Sequence, residues 1–164
     1  MLPFTATVIW LLDQGSKYLV VSHLLPGQPR ELCAWTSPIF QLTYTTNTGT
    51  AFGLFPGLKD VIVVVAALVI AAIVVYQHQL PDEQWQVRIA LGFQLGGALG
   101  NLTDRLVRGS VVDFVDLNFW PLRQWPIFNL ADAAIVTGTS LLALLIIQEA
   151  RQMHRDQEQQ PDAG

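Results

Sequence analysis

A charge-free apolar run from Val61 to Tyr76, VIVVVAALVIAAIVVY, limits what this chain can fold into more than any other part of the sequence. With its flanks from Leu58 to Gln77, the run is as long as a helix that crosses the hydrocarbon core of a bilayer, about 30 Å thick. It is apolar on every side, as expected of a helix surrounded by lipid or by other helices. The run therefore predicts a transmembrane helix.

Three further segments have the length and composition of membrane spans. They are residues 3–22, 85–106 and 130–148. Together with residues 58–77 they predict an all-α membrane protein of four transmembrane helices, in a single domain of residues 1–164. The charged fraction is 13%, whereas soluble domains carry about 25%. Asp13 and Lys17 interrupt the first segment, so we expect a retained helix rather than a cleaved signal peptide. Residues 149–164 are polar and predict a disordered tail.

The loops on one side of these spans contain a strand pattern and aromatic residues. Residues 39–46, IFQLTYTT, are β-branched and aromatic with partial alternation, which favours a short strand. The block NTGTAF at 47–52 is typical of a hairpin turn that presents backbone groups and the Asn47 amide. Trp120 and Trp125 precede the fourth span and fit a membrane–water interface. We therefore expect an aromatic loop at the membrane surface.

Two helical spacings indicate how the spans pack. Asp13 and Lys17 are four residues apart with the acid first, the favourable order for an ion pair on one helix face. This pair either fixes helix packing or gives Lys17 a direct chemical role. Gly92, Gly96 and Gly100 follow the same spacing and predict a stripe where another helix approaches closely.

Residues 96–132 concentrate the polar groups that a membrane normally excludes. Asn101, Asn118 and Asn129 lie there, and the ionisable residues are Asp104, Arg105, Arg108, Asp113, Asp116, Arg123 and Asp132. Ionisable residues at the edge of transmembrane helices are costly and therefore indicate a functional site. Two carboxylates that share a site do not both ionise easily, so one keeps a proton while the other can act as a base. The residues alone allow Asp113 to pair with Asp116 or with Asp132.

Other kinds of site have less support in the sequence. A net charge of −4 without a basic run argues against nucleic acid as a partner. The single cysteine, Cys33, cannot form an intramolecular disulfide. The histidines, His23, His78 and His154, have none of the usual spacings of zinc ligands. We therefore expect no metal and no cofactor.

Five blocks occur in one order across nearly the whole chain. They are DQGSK at 13–17, NTGTAF at 47–52, GGALGNLTDR at 96–105, VVDFVD at 111–116 and FNLAD at 128–132. With these blocks in register, the chain resembles the bacterial lipoprotein signal peptidases (signal peptidase II, aspartic peptidase family A8). The resemblance implies a four-helix inner-membrane aspartic endopeptidase with a small extracytoplasmic β-sheet, both termini in the cytoplasm and an active site at the outer face. The implied substrates are diacylglycerated prolipoproteins, cleaved just before the lipidated cysteine.

The resemblance also chooses among the polar residues. It implies that Asp113 and Asp132 are the catalytic pair and activate a water molecule. Residues implied to line the site and bind the substrate are Asn47, Asn101, Arg105 and Asn129. Residues implied to support the fold and the site are Asp13, Lys17 and Asp104. The expected partners are prolipoprotein signal peptides and membrane lipids, and we expect a monomer because four helices are enough to enclose one site.

Two other functions would use the same acidic residues. A metal-dependent lipid phosphotransferase would bind Mg²⁺ through Asp104, Asp113, Asp116 and Asp132, and would lose activity with a chelator. A proton-coupled carrier would use the buried acids as a relay and would usually contain internal repeats, which the sequence lacks.

Basic residues do not settle the orientation of the helices. Arg151 and Arg155 in the tail favour a cytoplasmic C-terminus. Arg30 and Arg123 lie in loops that would then be on the outer side, where this rule disfavours them. Their presence suggests contact with anionic headgroups or with the substrate.

Overall fold

The structure is a computed structural model that describes residues 1–49, 58–81 and 83–159. Within these ranges the chain forms four α-helices and three β-strands. The helices are α1 (Leu2–His23), α2 (Leu58–Tyr76), α3 (Trp85–Val107) and α4 (Leu130–Gln159). The strands are β1 (Pro29–Arg30), β2 (Phe40–Asn47) and β3 (Val111–Leu117). Short 3-10 turns lie at Gln77–Gln79 and Leu122–Gln124.

The helices begin and end close to the predicted boundaries at every position except the end of α4. This helix continues to Gln159, so the prediction that residues 149–164 are disordered is wrong for residues 149–159. The physical reason is that residues 149–159 consist largely of good helix formers such as Gln, Glu, Arg and Met.

Two of the helices in the described ranges are long and apolar enough to cross a membrane. The qualifying segments are Asp60–Gln79 and Leu130–Asp156, whose most apolar stretches of 18 residues have mean hydropathies of 2.5 and 2.1. On α2, the side chains of Val64 and Leu68 are more than half exposed, as expected of a helix whose surroundings are lipid. The other two helices, α1 and α3, carry the ion-paired and amide side chains of the site, which lower their hydropathy.

Glycines let α3 approach its neighbours α1 and α4 closely. A Cβ atom at Gly96 would lie 2.7 Å from the Ala6 carbonyl oxygen of α1. On the other side of α3, a Cβ atom at Gly97 would collide with the Ala131 carbonyl oxygen of α4. The predicted glycine stripe is therefore confirmed as a helix contact, and Gly97 adds a second contact outside that stripe.

The substitution Gly96→Ala is expected to destabilise the protein by about 1–3 kcal/mol, because the obstructing atoms belong to helix backbone and side-chain roots rather than to flexible ends. The matched control is Gly15→Ala on α1, where an added Cβ meets nothing within 4 Å. That control is expected to be neutral or slightly stabilising, since alanine is the better helix former. Thermal unfolding in detergent measures both variants, and equal melting temperatures would contradict the tight contact at Gly96.

The three strands form one antiparallel sheet in the order β1-β2-β3. The strand predicted at residues 39–46 is confirmed as β2, whereas the turn predicted at 47–52 lies partly outside the described residues. Gln41 of β2 pairs with Asp116 of β3, and Thr45 pairs with Asp113. Between these two pairs β2 has one more residue than β3, which is a β-bulge. The strand β3 is not among the separate predictions, although the β-branched and aromatic residues of VVDFVDL are typical of a strand.

Candidate active site

The first turn of α4 is held by reciprocal hydrogen bonds between Asn129 and Asp132. Asn129 Oδ1 accepts from the backbone N–H of Asp132 at 2.9 Å, and Asp132 Oδ2 accepts from the backbone N–H of Asn129 at 3.3 Å. This is a capping box, in which a residue at the start of a helix and the third residue inside it satisfy each other's backbone donors. The Asp132 carboxylate also lies at the positive end of the helix dipole. Its position is therefore fixed by the helix itself.

The strand β3 brings Asp113 to the same place. The Phe128 carbonyl oxygen accepts from the backbone N–H groups of Phe114 at 3.0 Å and Val115 at 2.8 Å. These bonds hold the chain just before α4 against β3. As a result, Asn129 Nδ2 reaches Asp113 Oδ1 and donates to it at 2.6 Å. One asparagine thus joins a carboxylate from β3 to a carboxylate from α4.

Asn101 of α3 extends this connection into the interior of the helices. Its Nδ2 donates to Asp132 Oδ1 at 2.7 Å. Its Oδ1 accepts from Asn129 Nδ2 and from Lys17 Nζ, both at 3.2 Å. The structure therefore brings the predicted catalytic residues together with two of the residues predicted to bind the substrate.

A buried cluster of charges lies behind these amides. Lys17 Nζ forms ion pairs with Asp13 at 2.8 Å and with Asp104 at 2.9 Å, and all three side chains have 0% exposure. Asp13 Oδ1 also accepts from the backbone N–H of Ala131 at 3.0 Å, and Asp104 Oδ2 accepts from that of Val112 at 3.1 Å. The predicted ion pair on one face of α1 is confirmed. The cluster ties α1 and α3 to the start of α4 and to β3.

Two members of this cluster, Arg108 and Gln14, were not predicted from the sequence. Arg108 forms an ion pair with Asp104, four residues earlier on α3. Gln14 Nε2 donates to Asp13 Oδ2 at 3.1 Å and to the Gly100 carbonyl oxygen at 3.2 Å. The four-residue spacing of Asp104 and Arg108 could have identified the first. No local pattern distinguishes Gln14, because its partners other than Asp13 lie on α3.

Asn47 reaches the carboxylates from the end of β2. It forms a hydrogen bond with Asp113. Its Oδ1 accepts from the backbone N–H of Gly49 at 2.8 Å, in a turn where Gly49 has a φ of 74°. A glycine suits this position because other residues rarely adopt positive φ. The turn thereby holds Asn47 next to Asp113.

Arg105 supplies a positive charge to the same region from α3. Its guanidinium has its strongest electrostatic interaction with the Asp132 carboxylate, and the interaction with Asp113 is the next strongest. One of its nitrogens, Nη1, donates to the Asn101 carbonyl oxygen at 3.1 Å. Its Nε is buried and has no hydrogen-bond partner among the described residues. The guanidinium is thus anchored at one nitrogen beside both carboxylates.

A cavity of about 560 Å³ opens beside the two carboxylates. Its polar lining is Asn47, Asp113, Asp132 and Thr137, and its apolar lining includes Leu117, Leu122, Trp125, Ile127, Phe128 and Val136. Ligand sites are typically concave and largely apolar, with a few converging polar groups, and they fall in this range of volume. The predicted aromatic loop contributes Trp125 to the wall, whereas Trp120 is 89% exposed.

Burial raises the pKa of the Asp113 carboxyl from 3.8 to about 6. The hydrogen bonds from Asn47 and Asn129 favour the ionised form and oppose this rise, while the neighbouring charge of Asp132 adds to it. Desolvation disfavours a charged carboxylate, so the largest cause of the raised pKa is the burial of Asp113 inside the protein. A carboxyl with this pKa can hold a proton close to neutral pH.

The raised pKa predicts that Asp113→Asn stabilises the protein at pH 7.5. The folded protein holds the Asp113 proton more tightly than the unfolded chain, so the wild type loses stability as pH rises from about 4 to about 6. The variant has no proton to lose, and a shift of this size corresponds to about 2–3 kcal/mol. Melting temperatures in detergent should therefore differ at pH 7.5 and converge near pH 4. A variant that melts below wild type at pH 7.5 would contradict this cause.

Asp116, the alternative partner of Asp113, has different neighbours. Its Oδ2 accepts from Gln41 Nε2 and from Thr43 Oγ1, both at 2.8 Å. Residues three apart on a strand point to opposite faces, so Asp116 is directed away from the cavity that Asp113 lines. Among residues 1–49, 58–81 and 83–159, no three His, Cys, Asp or Glu side chains are grouped so that they could hold a metal ion. The four-carboxylate Mg²⁺ site of the phosphotransferase hypothesis is therefore not formed there.

The fold and the site together define a membrane enzyme. Two solved structures described as a bacterial membrane enzyme, determined by the in meso method at 2.3 Å and 1.9 Å resolution, are similar to the chain with a TM-score of 0.79 each. The first is 25% identical and covers 91% of this chain and 88% of its own. The second is 26% identical and covers 88% of this chain and 91% of its own.

The family model described as Signal peptidase (SPase) II, Peptidase A8, matches residues 5–148. A lipoprotein signal peptidase of Desulfitobacterium hafniense is 40% identical over 147 residues, which are 90% of this chain and 93% of that protein. A lipoprotein signal peptidase of Moorella thermoacetica is 41% identical over 151 residues, 92% of this chain and 95% of that protein. The chain belongs to the signal peptidase II family and is an aspartic endopeptidase. The resemblance predicted from the five blocks is confirmed.

Proposed function

We propose that Asp113 and Asp132 are the catalytic pair with which this endopeptidase removes signal peptides from diacylglycerated prolipoproteins. Cleavage occurs just before the lipidated cysteine. The observation that carries the proposal is the convergence of these two carboxylates, from β3 and from α4, on one cavity of about 560 Å³. Asn129 bonds to both of them, which keeps them at a fixed separation.

The pair works as one acid and one base. The ionised carboxylate takes a proton from a water molecule as the water oxygen forms a bond to the carbonyl carbon of the scissile peptide. As the carbon becomes tetrahedral, negative charge develops on the carbonyl oxygen, and the protonated carboxyl transfers its proton to that oxygen. When the C–N bond breaks, the leaving nitrogen takes the proton that the base accepted from water, and one hydroxyl of the intermediate returns its proton to the other carboxylate, which leaves a carboxylic acid and an amine. The raised pKa of Asp113 supports Asp113 as the protonated partner of the pair, which leaves Asp132 as the base.

The remaining polar residues hold the substrate and the developing charge. Arg105 lies beside both carboxylates and stabilises the negative charge of the tetrahedral oxygen. Asn47, at the rim of the cavity, binds the peptide backbone of the substrate. Asn101 and Asn129 keep the two carboxylates in place by donating to their Oδ1 atoms. Asp13, Lys17 and Asp104 support this arrangement from inside the helices.

The walls of the cavity suit a substrate that carries lipid. Val136, on α4, lines the cavity and is 65% exposed, so the wall is continuous with the apolar surface of that helix. The acyl chains of the modified cysteine lie along this surface in the bilayer, while the peptide bond reaches the carboxylates. Trp125 and Phe128 also line the cavity and add to its apolar surface.

The chain acts as a single multi-pass domain of the bacterial inner membrane. All four helices cross the bilayer, so both termini lie on the same side, which is the cytoplasm. The sheet and the cavity then lie at the outer face, where prolipoproteins arrive after export. Membrane lipids surround the helices, no nucleic acid or metal takes part, and one copy of the chain encloses one complete site.

The test is cleavage of a diacylglycerated prolipoprotein by the purified protein in detergent. We expect a cut directly before the lipidated cysteine, identified by the mass of both products, and the same rate with EDTA present. The same prolipoprotein without its diacylglyceryl group is the control and should not be cleaved. Equal cleavage of both forms would overturn the proposed substrate, and loss of activity with EDTA would favour the metal-dependent alternative.

A further inference from the structure

The amide of Asn101 is bonded at both of its ends, and the two ends have different partners. Its oxygen faces two donors, Lys17 Nζ and Asn129 Nδ2, each at 3.2 Å. Its nitrogen faces an acceptor, the Asp132 carboxylate, at 2.7 Å. If the amide were rotated by 180°, its NH₂ group would meet two donors and its oxygen would meet a carboxylate. The direction of this amide is therefore determined by its surroundings.

Lys17 is the strongest of these determinants because an ammonium group has three donors and no acceptor. Its three partners are Asp13, Asp104 and the Asn101 oxygen, at 2.8, 2.9 and 3.2 Å. The lysine is fully buried, so no water competes for these positions. Asn129 is fixed by a different group, since its own oxygen accepts from the backbone N–H of Asp132. Each carboxylate thus receives an amide N–H whose direction is set by a separate donor.

We propose that Lys17 is a positioning residue for the reaction: it fixes the Asn101 amide so that an N–H, and not the amide oxygen, faces Asp132, the base of the pair. This role rests on the proposed function of Asp113 and Asp132. Lys17 itself touches neither carboxylate of the pair and acts through Asn101. A hydrogen bond donated to a carboxylate favours its ionised form. The lysine thereby keeps an N–H donor directed at the Asp132 carboxylate.

Charged groups also lie on the elements packed around Asp132. They are Asp13 and Lys17 on α1, Asp104, Arg105 and Arg108 on α3, and Asp113 on β3. A test must therefore separate the loss of a charge from the loss of the amide's direction. The double substitution Lys17→Met with Asp13→Asn removes one positive and one negative charge and so preserves the net charge of the cluster. Asparagine at position 13 keeps an oxygen that can accept from the Ala131 N–H.

The experiment measures the pH dependence of kcat/KM for a diacylglycerated prolipoprotein, whose acid limb reports ionisation of the base in the free enzyme. For the double variant we expect this limb to move to higher pH by about one unit, because one hydrogen bond to the ionised carboxylate is lost. The matched control is Arg108→Gln, which removes a cation that bonds Asp104 but does not contact Asn101. The control should melt at a lower temperature yet keep the wild-type acid limb.

A second comparison isolates the route through Asn101. In an Asn101→Ala background, the Lys17→Met and Asp13→Asn substitutions should cause no further shift of the acid limb, because the amide that they act on is absent. An unshifted limb in the double variant would overturn the role of Lys17. So would an equal shift in Arg108→Gln, or a full additional shift in the Asn101→Ala background.

If the double variant does not fold, Asn101→Leu takes its place. Leucine is similar in shape to asparagine, has no N–H to donate to Asp132 and adds no charge beside that carboxylate. We expect the acid limb to move to higher pH, and an unchanged limb would overturn the inference. Asp113→Asn and Asp132→Asn are measured in parallel. If either stays active, the proposed function fails, whereas inactive aspartate variants with an unshifted double variant overturn the role of Lys17 alone.

Discussion

Cleavage of a diacylglycerated prolipoprotein is expected to fall by about 10³–10⁴-fold when either Asp113 or Asp132 is replaced by Asn, the upper part of the range for general acid–base catalysis. An amide cannot take a proton from water, nor can it supply one to the leaving nitrogen. Both losses should be similar in size because the two carboxylates act as a unit, and the double variant should be little worse than either single one. Initial rates in detergent, at the pH optimum of the wild type, measure these effects.

Asp116→Asn is the matched control for these variants. It lies on the same strand as Asp113, but it accepts from Gln41 and Thr43 on the other face of the sheet and does not line the cavity. This variant should keep an activity close to that of the wild type. The melting temperatures of all three variants show that any loss is not caused by unfolding. A strong loss in Asp116→Asn, together with an active variant of Asp113 or Asp132, would mean that the pair is wrongly assigned.

The single substitution Lys17→Met is expected to destabilise the protein by about 3–5 kcal/mol, which is typical when one partner of a buried ion pair is removed. The cause is the charge that remains: Asp13 keeps a buried carboxylate without its cation, while Asp104 retains Arg108. Adding Asp13→Asn removes that carboxylate and should recover a substantial part of the loss. Thermal unfolding followed by tryptophan fluorescence compares the single variant, the double variant and the wild type.

The melting temperatures of the single and double variants show whether the destabilisation comes from the unpaired carboxylate or from lost packing. A double variant that melts above the single one indicates that the uncompensated carboxylate is the main cost. Equal melting temperatures would instead mean that lysine contributes mainly by packing its aliphatic chain. Arg108→Gln, which removes the partly exposed cation of the same cluster, should have the smaller effect because its head is 30% exposed to solvent.

Local patterns in the sequence were sufficient to predict the helices. The charge-free run in α2 and the four-residue spacings on α1 and α3 depend on neighbours in the chain, and these predictions agree with the structure. The continuation of α4 to Gln159 was missed because polarity was taken to indicate disorder. Polar residues such as Glu, Gln and Arg are also good helix formers, so their helix propensity predicts the end of α4 better than their polarity does.

The arrangement of the site could be predicted only in part. The residues themselves left Asp113 free to pair with Asp116 or Asp132, and the family resemblance was needed to choose. The geometric reason became visible once β3 was known to be a strand, since residues three apart on a strand point to opposite faces. The bonds from Asp13 to the Ala131 N–H and from Asp104 to the Val112 N–H join segments far apart in sequence, so no local pattern predicts them.

The capping box at the start of α4 has a consequence for inhibitors and resistance. Asp132 both lines the cavity and satisfies a backbone N–H of Asn129, so a change at this position alters the helix as well as the site. A compound that binds the Asp132 carboxylate would therefore contact a residue that the bacterium cannot readily exchange. Escape from such a compound would have to arise in the apolar wall, at positions such as Leu122 or Val136, where side chains can change without loosening the first turn of α4.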